Sequence, residues 1–235
     1  MNPYIMQFND NSNADFGVIL YDYESYSGAA KNYDTIPISG RDGELLSLDK
    51  YKSNLIIEVT FSIFGPLKAK ENQLKQWLRG TGHLTFSDNA DCFYKVLKIN
   101  YGAIERLTRK YERFTVSFTC TPYIFLKSGL IPLKWTTMDL NLQNPYSLSK
   151  PKYIITGQST VNISVNDADV VADVNGELTI DTDLMIAYTN DGTLKNAAIA
   201  GDYEKLWLPS GKNKVYISGE GNPTMDIIPN WGWEV

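Results

Sequence analysis

Residues 55–64 alternate between two faces, with Ile57, Val59, Phe61 and Ile63 on one and Ile56 on the other. That period of two predicts a half-buried β-strand, and the Gly65-Pro66 pair that follows predicts its end. The pattern then changes. Leu67, Leu74, Trp77 and Leu78 recur on one helical face while Lys68, Lys70, Lys75 and Gln76 fall largely outside it, which predicts a helix over 67–79. Pro66 suits the start of such a helix and Gly80 suits its left-handed end. The apolar face of the helix is expected to pack on the preceding strand.

Further along, His83–Phe86 reads as a short strand and Ser87-Asp88-Asn89 as a turn. Two long strands, 93–104 and 111–120, follow with a charged hairpin tip at 105–110, and Thr121-Pro122-Tyr123 is expected to end that sheet. Phe16–Leu20 is a further short strand. The second half is punctuated by regularly spaced turns: Gly157-Gln158, Asn166-Asp167, Asn175-Gly176, Asp191-Gly192, Ser210-Gly211 and Gly219–Gly221. They separate strand candidates at 153–156, 160–165, 168–174, 177–180, 184–188, 214–218 and 224–228. This spacing predicts an antiparallel sandwich. The stretch 138–152, with Asn141, Asn144, Pro145 and Pro151, reads as the connection into it.

The fold class is therefore mainly β with one helix, in two domains at 1–125 and 126–235. Charge supports the division. Residues 1–122 carry 14 basic and 14 acidic side chains, residues 123–235 carry 8 and 13, and the five arginines (41, 79, 106, 109 and 113) all lie in the first part. The whole net charge of −5 therefore belongs to the second part. An acidic chain is a poor candidate for general nucleic-acid binding. No apolar run is long enough for a membrane span, and the first ten residues lack the basic-then-apolar order of a secretory signal.

The catalytic inventory is thin. His83 is the only histidine and Cys92 and Cys120 are the only cysteines, in no metal or redox spacing. Both cysteines are expected as buried thiols, with a disulfide left open. No Gly-x-Ser-x-Gly elbow accompanies the histidine. The acidic run 167–177 fails as a calcium loop, because Val171 and Thr182 stand where ligands would be needed. Aromatics are abundant (Phe 9, Trp 5, Tyr 15), which favours a binding or structural protein over an enzyme. Trp207, Trp231 and Trp233 are candidates for stacking on sugars, with core or interface packing as the plainer account. Arg106, Arg109, Lys110 and Arg113 gather at the hairpin tip, where they form either a solvated end or a contact for an acidic partner.

The order of these landmarks resembles the distal tail protein, or Dit, family of long-tailed bacteriophages. Residues Ile36–Gly43, ending Gly40-Arg41-Asp42-Gly43, resemble its N-terminal turn. The helix ending Trp77-Leu78, the segment Leu84–Asn89, Tyr94 and the close at Phe118–Tyr123 follow in the family's order. Ser149–Gly157, Glu177–Thr182, Leu208–Asn213 and Ile228-Pro229-Asn230-Trp231 resemble landmarks of its galectin-like domain.

The resemblance implies a non-enzymatic virion protein of the tail tip, made in the bacterial host cytoplasm. It implies a homo-hexameric ring formed by the first domain, with the galectin-like domain projecting outward. The ring would join the tail tube protein to tail-associated tip or baseplate proteins. DNA would pass through its channel without being recognised, and neither a cofactor, a metal nor membrane insertion is implied. The second half, at about 113 residues, leaves no room for an inserted arm or carbohydrate-binding module. Arg106, Arg109 and Arg113 are the expected contacts to a neighbouring subunit. The alternative is a carbohydrate-binding module for cell-wall sugars, carried by the tryptophans.

Overall fold

The computed structural model describes residues 4–23, 31–37, 39–40, 42–65, 68, 70–106, 111–136 and 140–235, with the backbone alone at 31–37, 44–51, 103–106, 136 and 140. Two compact units partition the chain: Met1–Ile124 with Glu234–Val235, and Phe125–Trp233.

The first unit holds β1 (Met6–Phe8), β2 (Asn11–Ser12), β3 (Ile19–Tyr23), β4 (Lys31–Pro37), β5 (Glu44–Lys52), β6 (Leu55–Phe64), α1 (Glu71–Trp77), β7 (Gly82–Phe86), β8 (Cys92–Arg106) and β9 (Tyr111–Leu126). Its main sheet runs β2-β1-β7-β8-β9-β6-β3, and β4 and β5 form a separate hairpin. The alternation in β6 is fulfilled: Ile57, Val59, Phe61 and Ile63 are at most 2% exposed, while Ile56 is 60% exposed. Long antiparallel pairing with β9, from Leu55↔Cys120 to Phe64↔Tyr111, lays Phe118, Val116 and Phe114 beside them.

The helix is shorter than its apolar spacing predicts. It spans Glu71–Trp77, and Pro66 and Leu67 lie outside the described residues. Leu74, Trp77 and Leu78 are buried as expected. Trp77 is a principal anchor. Its ring stacks on Phe16 at 4.6 Å, meets Phe61 edge-on at 6.3 Å, and its Nε1–H donates to the Phe8 carbonyl at 3.2 Å. The Tyr101 hydroxyl closes the last turn by reaching the carbonyls of Leu74 (3.0 Å) and Leu78 (2.9 Å). The Leu74 carbonyl also accepts the Leu78 N–H at 2.8 Å, so it is the Leu78 carbonyl, past the helix end, that the tyrosine supplies with a donor.

Strand β9 does not stop at Thr121-Pro122-Tyr123 but continues to Leu126. Pairing with β6 has already ended at Cys120, so the missing N–H of Pro122 interrupts no bond to that strand. The Pro122 carbonyl instead accepts the Val235 N–H at 3.3 Å. Beside it, the Lys52 ammonium meets the Glu234 carboxylate at 2.8 Å.

The second unit is two five-stranded antiparallel sheets around one core. Its strands are β10 (Leu133–Thr136), β11 (Leu140–Asn144), β12 (Lys152–Gly157), β13 (Thr160–Val165), β14 (Ala168–Asp173), β15 (Gly176–Asp181), β16 (Ile186–Thr189), β17 (Ile199–Ala200), β18 (Gly211–Gly219) and β19 (Thr224–Ile228). The sheet orders are β10-β19-β12-β15-β16 and β11-β18-β13-β14-β17. Tyr153, Ile155 and Ile180 from one sheet and Val161, Ile163 and Ile217 from the other fill the interior. The two-residue turn Asn166-Asp167 has both residues at positive φ, 49° and 68°, as a type I′ hairpin requires. A closing strand, β20 (Gly232–Glu234), pairs with β9.

The connection predicted over 138–152 is partly a strand. β11 pairs with β18 from Leu140↔Val215 to Asn144↔Gly211. Asn144 is wholly buried there. Its Nδ2 donates to the carbonyls of Ser147 (2.7 Å) and Leu208 (2.9 Å), and its Oδ1 accepts the Tyr146 N–H at 3.0 Å. Strand β16 begins at Ile186 rather than 184, after a turn in which the Asp181 carboxylate accepts the N–H groups of Asp183 and Leu184, both at 3.1 Å.

Burial sets an alkaline limit on stability. It pushes the Cys120 thiol from its ordinary 9.0 up to about 12 and the Tyr101 hydroxyl from 10.0 up to about 12. Tyr153, fully buried with its hydroxyl on the Leu206 carbonyl at 2.7 Å, is raised too. The folded chain therefore holds these protons when the unfolded chain would release them, so stability falls as pH rises. Stability should be full below pH 9.0, where the unfolded thiol begins to ionise, and should decline as pH approaches about 12. Urea midpoints measured across that range check this; a midpoint that does not fall would contradict it.

Candidate functional site

The expected site was an arginine cluster at a hairpin tip. Of its members, Arg113 is fully described, Arg106 closes β8 by its backbone, and Arg109 and Lys110 lie outside the described residues. Arg41 lies outside them as well. Gly40 and Gly43, which flank it, sit at φ +83° and +86° between β4 and β5, whose pairing resumes at Pro37↔Glu44. Only glycine adopts that backbone without strain, so the two positions are explained by the turn itself. Asp42 is exposed.

Around Arg113 the three strands β3, β6 and β9 assemble something the sequence alone did not announce. Ile19 lies opposite Ser62, Ser62 opposite Arg113, and Phe64 opposite Tyr111. The irregular step between Leu20 and Asp22 sets Tyr21 at a bulge. The Arg113 guanidinium then lies over the Tyr21 ring, 3.5 Å from its centroid. Phe64 meets Tyr111 edge-on at 5.4 Å. These side chains face solvent: Ile19 is 56% exposed, Tyr21 57%, Phe64 67% and Tyr111 47%.

The result is a group of exposed aromatic and aliphatic side chains on neighbouring strands, with a cation among them. Aromatics and arginine are also the residues that dominate binding energy at interfaces. Among the described residues, Arg113 Nε is buried without a hydrogen-bond partner.

The three candidate sugar-stacking tryptophans are half-buried, and each already spends a face or its N–H inside the unit. Trp207 donates Nε1–H to the Thr182 carbonyl at 3.2 Å, with the Lys150 ammonium 5.0 Å over its ring. Trp231 packs on the sandwich core, and Trp233 stacks on Tyr146 at 5.6 Å. The open groove of this unit lies elsewhere. It has a volume of about 770 Å³ and is lined by Asp173, Asn175, Glu177, Thr189, Asp191 and Lys195 among others, none of them aromatic.

His83 is placed beside Phe93, ring to ring at 4.2 Å. Partial desolvation there, and then the charge of Lys95, hold its imidazole below the ordinary 6.5. Cys92 and Cys120 are both buried free thiols.

No protein-family model matches the chain, and none of the curated proteins compared with it matches. Among solved structures, the chain is similar to the SPP1 Dit (gp 19.1) protein. The two share 15% sequence identity at a TM-score of 0.71, over 95% of this chain and 97% of that one. That structure is described as a paradigm of the hub adsorption apparatus in phages infecting Gram-positive bacteria. The chain has that protein's fold, and the likeness runs through both units.

Proposed function

We propose that this chain is a distal tail protein of a long-tailed bacteriophage, acting as a non-enzymatic structural hub at the tail tip. The observation that carries the reading is the likeness to SPP1 Dit over nearly the full length of both chains. On this reading the first unit forms a homo-hexameric ring and the second is the galectin-like domain that projects from it. The tail tube protein stands on one side of the ring and the tip or baseplate proteins on the other. DNA crosses the channel without sequence recognition. No cofactor, metal or membrane insertion enters the role.

A ring requires two different surfaces of each copy to meet head to tail. The exposed face of Ile19, Tyr21, Phe64 and Tyr111 around Arg113 supplies one of them, and a carboxylate-bearing surface of the neighbour supplies the other. Arg106 and Arg109, near Arg113 in the sequence, are assigned to the same contact on this reading. Negative-stain imaging of the purified full chain tests the main claim. Six-fold rings are expected, with or without added tail tube protein. A chain that stays monomeric under both conditions would refute it.

The face has its own test. Arg113→Glu combined with Arg106→Glu and Arg109→Glu should weaken subunit association at least tenfold, on the order of 1–3 kcal/mol for a central interface arginine. Phe64→Ser should act in the same direction without changing charge. Light-scattering mass as a function of concentration reads both. An assembly mass unchanged in both variants would remove this face from the ring contact.

A further inference from the structure

Asn175-Gly176 is the only place in the chain where glycine follows asparagine. In the fold Asn175 is the exposed bend between β14 and β15, at the edge of the polar groove, and Gly176, half-buried, is the first residue of β15. Gly176 sits at φ +93°, and a Cβ built there would meet nothing within 4 Å. Open space therefore lies beside the Cα of the residue whose nitrogen would attack.

We propose that Asn175 is a spontaneous modification site of the folded protein, converting to aspartate and isoaspartate through a succinimide. Solvent base takes the proton of the Gly176 main-chain nitrogen, which attacks Cγ of Asn175. The bond from Cγ to the amide nitrogen breaks and ammonia leaves, closing a five-membered ring. Water then adds to one of the two ring carbonyls and opens it. Opening on one side restores the ordinary main chain as aspartate; opening on the other routes the main chain through the side-chain carbon as isoaspartate. Water and base are the only co-reactants, and nothing is oxidised or reduced.

The other two candidates followed by glycine, both aspartates, explain why this one is singled out. At Asp191-Gly192 the carboxylate accepts the Thr189 hydroxyl and, at 3.1 Å, the Thr193 N–H, which fix it in place. Those bonds, the Thr189 hydroxyl first, hold its carboxyl below the usual range and keep it ionised. An ionised carboxylate resists nucleophilic attack, and Asp42-Gly43 likewise carries a carboxyl in place of an amide. Only Asn175 offers an uncharged leaving amide on an exposed bend.

The product changes the groove. One more carboxylate joins Asp173, Glu177 and Asp191 on its lining, and the net charge of the chain moves from −5 to −6. An isoaspartate would also lengthen the main chain at the residue before β15. Virions of different age would then present differently charged grooves.

The experiment incubates the folded full-length chain at mildly alkaline pH in water enriched in oxygen-18, with a urea-unfolded sample beside it. Peptide mass spectrometry follows every asparagine, and ion exchange follows whole-chain charge. Because local opening of exposed turns costs little, Asn175 in the folded chain is expected to convert within about tenfold of its unfolded rate and before every other asparagine. One heavy oxygen should enter per event. Asn175→Gln should abolish the early acidic species while circular dichroism stays unchanged. Retention of the Asn175 amide in the folded chain while the unfolded chain loses it would overturn the proposal, as would an earlier conversion at any other asparagine.

Discussion

In a Trp77→Ala variant the first unit is expected to lose about 3–5 kcal/mol, the usual cost of truncating a large buried aromatic. Three contacts fail together. The stack on Phe16 disappears, the edge contact to Phe61 disappears, and the Phe8 carbonyl loses its indole donor. Phe61 in turn stacks on Phe114 at 5.1 Å, so the cavity opens against the β6–β9 pair that supports the exposed aromatic face. Urea unfolding followed by far-UV circular dichroism measures the loss, and hydrogen exchange should place it in β6 and β9. A midpoint within error of the parent would show that Trp77 is not an anchor. Trp77→Phe, which keeps much of the ring area and removes only the N–H, should fall between the two.

The second large effect is expected at Asn144 in the second unit. Asn144→Leu preserves much of the volume but removes every polar contact. Two carbonyls, of Ser147 and Leu208, then lose a donor, of which Leu208 keeps the Ser149 N–H at 2.9 Å, and the Tyr146 N–H loses its acceptor. Each buried group left unsatisfied costs about 1–3 kcal/mol, so a total on the order of 2–4 kcal/mol is expected after partial rehydration. Asn144→Asp separates the roles. It keeps the acceptor for Tyr146 and turns the donor side into a repulsion against carbonyls, and its deficit should shrink at acid pH, where the carboxyl is protonated. A deficit independent of pH would mean that the network is not what holds this corner.

Both positions show why parts of the fold were legible and others were not. In β6 every core-facing residue is apolar, so alternation alone predicted both ends of the strand and its buried face. In β11 the core-facing series is Leu142 then Asn144, and a polar residue in an interior position broke the pattern. Local sequence carries no sign that this amide pairs with Leu208, sixty-four residues away. The helix was overextended for a related reason. Leu78 falls on the apolar face by spacing and is buried, yet it stands at the cap, because spacing does not say where hydrogen bonding ends. Pro122 misled in the opposite sense, because a proline costs a strand nothing once its N–H has no neighbour to serve.

The exposed aromatic face was half visible. Phe64 is the aromatic that falls on the outward side of the β6 alternation, a departure that could have been flagged from sequence. Its neighbours could not have been. Tyr21 belongs to the set only because β3 bulges, and Tyr111 only because the β6–β9 register aligns it with Phe64. Charge pointed to Arg113, but its place over Tyr21 follows from that same pairing. The tryptophans, conspicuous in composition, are committed to contacts within their own unit.

The return of Glu234 and Val235 to the first unit has a consequence for how the molecule folds. The second unit is an excursion from the first, begun at Phe125 and completed at Trp233. To the unfolded first unit, those residues are a long slack loop whose ends must meet before Lys52 can find Glu234 and Pro122 can find Val235. Closing slack chain costs entropy that grows with its length. Once the sandwich has formed, the slack is gone and the final two residues are delivered near their partners. The last contacts of the first unit are thus a report on whether the second has folded, a built-in order of events written by connectivity alone.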